Sequence, residues 1–318
     1  MSNWLVTGGA GYIGAHVVRV LKENGITPVA LDNLWSGFEK FIPEGIKFVN
    51  ADIRDTEALT NTLIDEDVVG VIHVAGYKYA GESVKNPLLC YSNNVQGTAS
   101  VLQAMETAAV KNIVFSSSAS VYGTPDVELV TEDAALHPES PYGESKLIGE
   151  WLMADMARAK GFKATSLRYF NVCGSGYPDI YDASPYNLFP IVIRMLRAGK
   201  TPAINGDDYP TPDGTCVRDY VHVQDLAVSH VAAAKALESG AELLPAYNLG
   251  SGDGLSVRDI MDTFREVSGI DFTPTINPRR PGDPARIVAD GTAAARDLDW
   301  KMRHSVKQMV ESAWEAGE

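Results

Sequence analysis

The chain has 318 residues, 45% apolar and 21% charged, with 27 basic against 41 acidic side chains and a formal net charge of −14. That length suits one large α/β domain with a smaller attachment, and the negative charge argues against a nucleic-acid partner. There is no apolar run of about 18 residues for a membrane span. The first residues enter a strand without room for a signal peptide, and Cys90, Cys173 and Cys216 lack disulfide or metal spacing, so a cytoplasmic protein is expected.

Trp4-Leu5-Val6 reads as a strand, followed by Thr7-Gly8-Gly9-Ala10-Gly11-Tyr12-Ile13-Gly14 and a helix with Ile13, Val17, Val20 and Leu21 on one face. Glycines at Gly8, Gly11 and Gly14 let the backbone approach a pyrophosphate and aim free helix N–H groups at it. Pro28–Asp32 is a second strand ending in an acid. Asp32 lies about twenty residues beyond the loop, where a carboxylate accepts hydrogen bonds from a ribose and repels a 2′-phosphate. Strand, glycine loop, helix, strand and acid in this order predict dinucleotide binding, with NAD favoured over NADP.

Strands at Ile46–Val49, Val68–His73, Asn112–Ser116 and Ala164–Leu167 alternate with helices from about Thr56, over Pro87–Ala109 and around Tyr142. The alternation predicts an α/β fold with a doubly wound parallel sheet over residues 1–170. Beyond Phe170 the order loosens into Gly, Pro, Asp and Tyr, and residues 171–318 are expected to form mainly a smaller α/β domain. The helix after Asp225 and the run Ala246–Leu249, both near 221–250, are expected to return to the main sheet.

On a helix, Tyr142 and Lys146 face the same way. An ammonium near a phenol, which normally titrates near ~10, favours the phenolate and makes a base. Ser118 follows the strand ending at Ser116 and brings a hydroxyl over the crevice at the strand ends. The six histidines are scattered, with no paired spacing for a metal.

These stretches, with Asp32-Asn33-Leu34, Asp52-Ile53-Arg54, Ala75–Ser83, Arg168–Asn171, Asp213–Tyr220 and Pro278–Asp283, resemble the extended short-chain dehydrogenase/reductases over nearly the whole chain. The resemblance implies a Rossmann fold, NAD as cofactor, Ser118 and Tyr142 as the catalytic pair and Lys146 as their helper. It assigns the cofactor to Gly8, Gly11, Tyr12, Ile13 and Gly14 in the loop and to Asp32, Asn33, Asp52 and Ile53 around the adenosine. Val74, Ala75, Lys78, Asn93, Ser116 and Phe170 complete that set, with Tyr142 and Lys146. A UDP-sugar substrate is assigned to Lys78, Ser118, Tyr142, Asn171, Asn187, Leu188, Arg218, Tyr220, Arg280 and Asp283. Arg218 and Arg280 are the local cations an acidic protein needs for a diphosphate.

The implied activity is NAD-dependent C4 epimerisation of UDP-hexoses, UDP-galactose to and from UDP-glucose, through a 4-keto sugar. A 4-epimerase of a pentose or uronic UDP-sugar would use the same residues, and an NAD-sensing regulator is the alternative from another class. Ser118 is followed by Ala119-Ser120, without the carboxylates that a 4,6-dehydratase needs. Ala15 stands where many relatives have Ser, and Val172-Cys173-Gly174 where proline often follows Asn171. Ile287 takes a position that is a large aromatic in some relatives, leaving space for an N-acetyl group. A homodimer is implied through helices around 94–109 and 146–160. Val101, Leu102, Met105, Leu147, Trp151 and Leu152 line that contact or cover the protein's own sheet.

Overall fold

Strands that are apolar along their whole length need cover on both faces, and helices between them supply it. The computed structural model describes residues 2–280 and 283–317. Its first half runs β1 (Asn3–Thr7), α1 (Tyr12–Glu23), β2 (Thr27–Asp32), β3 (Lys47–Asn50), α2 (Thr56–Asp65) and β4 (Val68–His73). Then come α3 (Ala80–Lys85), α4 (Pro87–Tyr91), α5 (Gly97–Thr107), β5 (Asn112–Ser116), α6 (Pro141–Lys160) and β6 (Lys163–Tyr169). The second half begins with β7 (Asn171–Cys173), α7 (Leu188–Arg197), β8 (Ala203–Asn205), β9 (Val217–Arg218), β10 (Tyr220–His222) and α8 (Val223–Glu238). It ends with β11 (Ala246–Leu249), β12 (Leu255–Ser256), α9 (Val257–Ser268), β13 (Thr275–Asn277), β14 (Arg286–Ile287), α10 (Thr292–Leu298) and α11 (Val306–Glu315).

Seven parallel strands form one sheet in the order β11-β6-β5-β4-β1-β2-β3. Val6 of β1 sits opposite Ala30 of β2 and Ile72 of β4, so the winding reverses between β1 and β4. A crevice opens at the carboxyl ends of the strands at such a reversal. One face of the sheet packs against Val17 and Leu21 of α1 with Leu226, Val231 and Leu237 of α8. The other packs against Leu59 and Leu63 of α2 with Val101 and Met105 of α5. Strand β11 pairs with β6, Ala246 opposite Ser166. A separate apolar cluster joins Phe189 and Val192 of α7, Ile260 and Phe264 of α9, and Met309 and Val310 of α11.

The helix expected over about Pro87–Ala109 is present from Pro87 to Thr107, with one irregularity inside it. Between α4 and α5, residues Ser92–Gln96 form a π turn, a local widening that often marks a functional position. There Asn94 is buried: its Oδ1 accepts from the Tyr77 N–H at 2.6 Å, and its Nδ2 donates to the Tyr77 carbonyl at 3.0 Å and to Ser145 Oγ at 2.8 Å. Its neighbour Asn93 is left facing the crevice.

Of the six apolar residues expected at a subunit contact or over the sheet, Val101, Leu102, Met105 and Leu147 are buried in the chain's own core. Leu152 is half-buried and Trp151 is 57% exposed. Among the described residues, no helix is long and apolar enough to cross a membrane, and Cys90, Cys173 and Cys216 are free thiols.

Candidate active site and cofactor crevice

One cleft of about 450 Å³ runs from the glycine loop to the second half of the chain. At its floor, Gly8 holds φ +70°, and a Cβ on Gly14 would lie 2.0 Å from the Gly8 carbonyl oxygen. Only glycine allows this close approach. Helix α1 begins at Gly11 with no side-chain cap and no acid in its first turn, so its N–H groups are available to an anion. Asp32 accepts from the Ala10 N–H at 3.1 Å and the Leu34 N–H at 2.8 Å. Burial raises the pKa of its carboxyl, while those N–H groups and Lys78 across the crevice pull it down. An uncapped helix end, a cation and an inward carboxylate at the second strand's end fit a dinucleotide with a free ribose 2′-hydroxyl.

Gly8, Gly11, Tyr12, Ile13, Gly14, Asp32, Asn33, Ile53, Val74, Ala75, Lys78, Asn93 and Phe170 all line this cleft, as do Tyr142 and Lys146. Asp52 and Ser116 do not. Arg54 binds Asp52 through Nε and Nη2, both at 2.8 Å, and Asn33 Nδ2 donates to it at 3.0 Å. The Arg54 guanidinium holds the Asp52 carboxyl well below its usual range. Ser116 is fully buried, its hydroxyl 2.8 Å from His230 Nε2. What it offers the site is its carbonyl, which accepts from Lys146 Nζ at 2.8 Å.

Helix α6 starts crisply because Ser140 Oγ accepts from the Gly143 N–H at 3.2 Å and Pro141 takes the first turn. That fixes Tyr142 and Lys146 over the ends of the sheet strands. Lys146 Nζ lies 5.8 Å from the centre of the Tyr142 ring. The phenolate expected from this pairing is not favoured by the packing. Burial pushes the Tyr142 hydroxyl up to about 12, only partly opposed by a hydrogen bond with Ser118. Tyr142 keeps one side on the cleft, so water there limits that rise. Burial likewise brings the Lys146 ammonium down to about 8. Ser118 is not part of the cleft wall. Its oxygen accepts from the Ser120 N–H at 3.2 Å and the Ser120 hydroxyl at 3.0 Å, which leaves its own proton to donate toward Tyr142 or a ligand oxygen.

At the other end stand Asn171, Asn187, Leu188, Arg218, Tyr220, Arg280 and Asp283. Arg218 is held by the carbonyls of Val217 and Pro284 at 2.9 and 2.7 Å and pairs with Asp283 at 3.5 Å. Arg280 donates from Nε and Nη2 to the Asn205 amide oxygen at 3.0 Å once that amide is turned to face it. Asn187 Nδ2 donates to Asp182 at 2.7 Å. Pro281 and Gly282 of the Pro278–Asp283 stretch lie outside the described residues. Ile287 packs with Phe170 and Leu147 in an apolar cluster and is not part of the cleft wall.

Trp35, Asp182, Tyr186 and Asn205 also line the cleft and were not singled out from the sequence, as do Tyr77 and Cys216, which were given no site role there. Asp182 and Tyr186 fall in the irregular tract after Phe170, where no periodicity marks them. Trp35 did carry a signal: a large aromatic in a polar loop just past Asp32.

Four histidines, His16, His73, His222 and His230, hold this architecture as neutral rings. His16 Nε2 accepts from the Gly176 N–H at 2.9 Å, tying α1 to the loop after β7, while Nδ1 meets the Tyr12 carbonyl at 2.7 Å. Burial lowers His16 and His230 to about 4 and His73 and His222 to about 3. Their folded pKa values lie below the unfolded value of about 6.5, so the unfolded state binds more protons in between. Their contribution to stability is full above that value and is lost as pH falls toward 4. The urea midpoint is therefore expected to be lower at pH 5 than at pH 7, and equal midpoints would show that these rings are not held neutral.

A model of the NAD dependent epimerase/dehydratase family matches residues 4–250. A UDP-glucose 4-epimerase of Lactobacillus helveticus is 44% identical, with 98% of this chain and 95% of that one covered. The structure of a UDP-glucose 4-epimerase from Stenotrophomonas maltophila with bound NAD and formylated UDP-arabinopyranose superposes with a TM-score of 0.95 at 38% identity, covering 99% of this chain and 97% of that one. Another, from Bifidobacterium longum in complex with NAD+ and UDP, gives a TM-score of 0.91 at 36% identity, with 99% and 97% covered. The family match runs from the first strand of the sheet through its last, β11, and on that evidence this chain belongs to the NAD dependent epimerase/dehydratase family.

Proposed function

We propose that the protein interconverts UDP-galactose and UDP-glucose by inverting C4 of the hexose through a transient 4-keto sugar, with NAD as a resident cofactor. The observation that carries this reading is the single cleft joining the glycine loop and Asp32 to Tyr142 and on to Arg218 and Arg280. The chemistry NAD supplies when bound is reversible hydride acceptance at C4.

Tyr142 takes the C4 hydroxyl proton as the hydride leaves and returns it after the hydride comes back to the opposite face. Ser118 donates its free proton to the reacting oxygen and keeps it aligned. Lys146, buried beneath the ring, favours the phenolate electrostatically whenever it is charged. Arg218 and Arg280 grip the diphosphate while the sugar turns over between half-reactions. Residues around the cluster of α7, α9 and α11 make up the nucleotide-sugar half and the parallel sheet the cofactor half.

The protein is proposed to be cytoplasmic, in keeping with its three unpaired thiols, and homodimeric. Val84, Leu88, Leu89 and Trp151 are 61%, 82%, 44% and 57% exposed on α3, α4 and α6, which pack together. Exposed apolar side chains on neighbouring helices suit burial against a second copy.

Purified protein given UDP-galactose and UDP-GalNAc in parallel, with no added NAD, is expected to form UDP-glucose, and the second substrate measures tolerance of an N-acetyl group. No UDP-glucose even after NAD is supplied would overturn the reading. A monomer in sedimentation equilibrium of the same sample would remove the dimer.

A further inference from the structure

Four aromatic rings cluster at the mouth of the cleft, Trp35, Tyr77 and Tyr79 in mutual contact and Tyr186 against Tyr79. Trp35 follows Asp32 at the end of β2, Tyr77 and Tyr79 follow β4, and Tyr186 precedes α7. Ring centres are 5.8 Å apart for Trp35 and Tyr77, 6.4 Å for Trp35 and Tyr79, 5.6 Å for Tyr77 and Tyr79, and 4.9 Å for Tyr79 and Tyr186. Trp35, Tyr77 and Tyr186 line the cleft. Trp35 and Tyr186 are also 61% and 50% exposed, which puts them at its rim. The cluster thus joins three rings from the cofactor half to a fourth from the facing half.

A lone exposed indole is ordinary, but this one is held in place. The Leu34 N–H donates to Asp32 Oδ1 at 2.8 Å and the Trp35 N–H to Asn33 Oδ1 at 3.0 Å. Leu34 sits at φ 59°, a conformation that a leucine adopts only when its surroundings enforce it. Past the indole, the Phe38 N–H donates to the Ala10 carbonyl at 2.9 Å, and a Cβ on Gly37 would lie 2.8 Å from the Ala10 carbonyl carbon. The loop is therefore pinned to Asp32 on one side and to the glycine loop on the other. Tyr79 in turn supports Lys78, whose Nζ lies 5.7 Å from its ring centre.

We infer that Trp35, braced by Tyr77 and Tyr79, clasps the dinucleotide in its crevice and slows its release. The inference rests on the cofactor reading above. A ligand lying along the glycine loop and Asp32 leaves through an opening that Trp35 overhangs, so departure requires the indole to part from both tyrosines. Aromatic pairs with centres this close attract beyond their buried area. An enzyme that regenerates its cofactor in every turnover gains nothing from releasing it, and slow escape keeps it ready for the next sugar.

The test is to equilibrate purified protein with excess deuterated NAD+ and to follow replacement of the resident nucleotide by mass spectrometry. Trp35→Ala and Tyr79→Ala are each expected to exchange about tenfold faster than wild type, a change of about 1.4 kcal/mol in the release barrier. Trp35→Phe, which restores an aromatic face, is expected to return most of the retention, and loss of a merely structural contact would not show that rescue. NAD+ added to stripped protein should quench an emission component that Trp35→Phe lacks. Exchange in Trp35→Ala at the wild-type rate, or Trp35→Phe exchanging as fast as Trp35→Ala, would overturn the clasp alone. Wild-type protein that neither carries nor takes up NAD+ would overturn the cofactor reading and the clasp together.

Discussion

Tyr142→Phe is expected to lower the turnover of UDP-galactose by about 10³-fold, within the usual range for a positioned acid–base group. A loss of that size corresponds to about 4 kcal/mol in the barrier. The substitution keeps the ring and removes only the hydroxyl. Helix α6 is positioned at this residue through the backbone, where the Tyr142 N–H donates to Ser83 Oγ at 3.1 Å and its carbonyl accepts from Ser145 Oγ at 2.7 Å. Those bonds survive, so the variant is expected to fold and to retain nucleotide. Turnover near the wild-type rate in protein that still carries NAD would take the proton-transfer role from Tyr142. The packing makes the test sharper, because burial raises the phenol to about 12 and a phenolate needs the positive charges of the complete site.

A loss of about 3–5 kcal/mol of folding stability is expected for Glu150→Ala, the cost of leaving a buried charge without its partner. Glu150 of α6 and Arg168 of β6 are 9% and 6% exposed. Arg168 donates to Glu150 from Nε at 2.9 Å and from Nη2 at 2.6 Å, in the two-pronged geometry that suits guanidinium and carboxylate. Its Nη1 also reaches the Tyr122 hydroxyl at 2.8 Å and the Glu132 carbonyl at 3.0 Å, and these neutral acceptors cannot balance the charge. Ser117 Oγ donates to the same carboxylate at 2.5 Å, so the pair also supports the serines leading to Ser118. Urea unfolding measures the effect, and a loss below about 1 kcal/mol would place the pair among weak surface bridges. Glu150→Ala combined with Arg168→Met is expected to recover part of the loss, because no uncompensated charge is left inside.

The strands over Val68–His73 and Asn112–Ser116 were legible to the residue. Each is a short apolar run bounded by a change in pattern, and a buried parallel strand needs little else. The return of Ala246–Leu249 to the sheet was also readable from its apolar character. The helix over Pro87–Ala109 was legible, but not the π turn at its centre, where Asn94 turns inward to bind the Tyr77 backbone and Ser145. Those partners are far away in sequence, so helical periodicity carries no trace of them. Asp52, assigned to the adenosine, is held by Arg54 two residues on, a contact that spacing alone does not show.

Residue order was enough to establish the glycine loop with Asp32, the Tyr142–Lys146 spacing on one helix face and the alternation behind the parallel sheet. These features depend on neighbours within a turn, a loop or a strand. Folding in three dimensions settled the rest: the burial that raises the Tyr142 phenol, the burial of the Ser116 hydroxyl against His230, and the meeting of Trp35 with Tyr77 and Tyr79. Desolvation and long-range contact arise only when distant segments pack together, and no local pattern of residues encodes them.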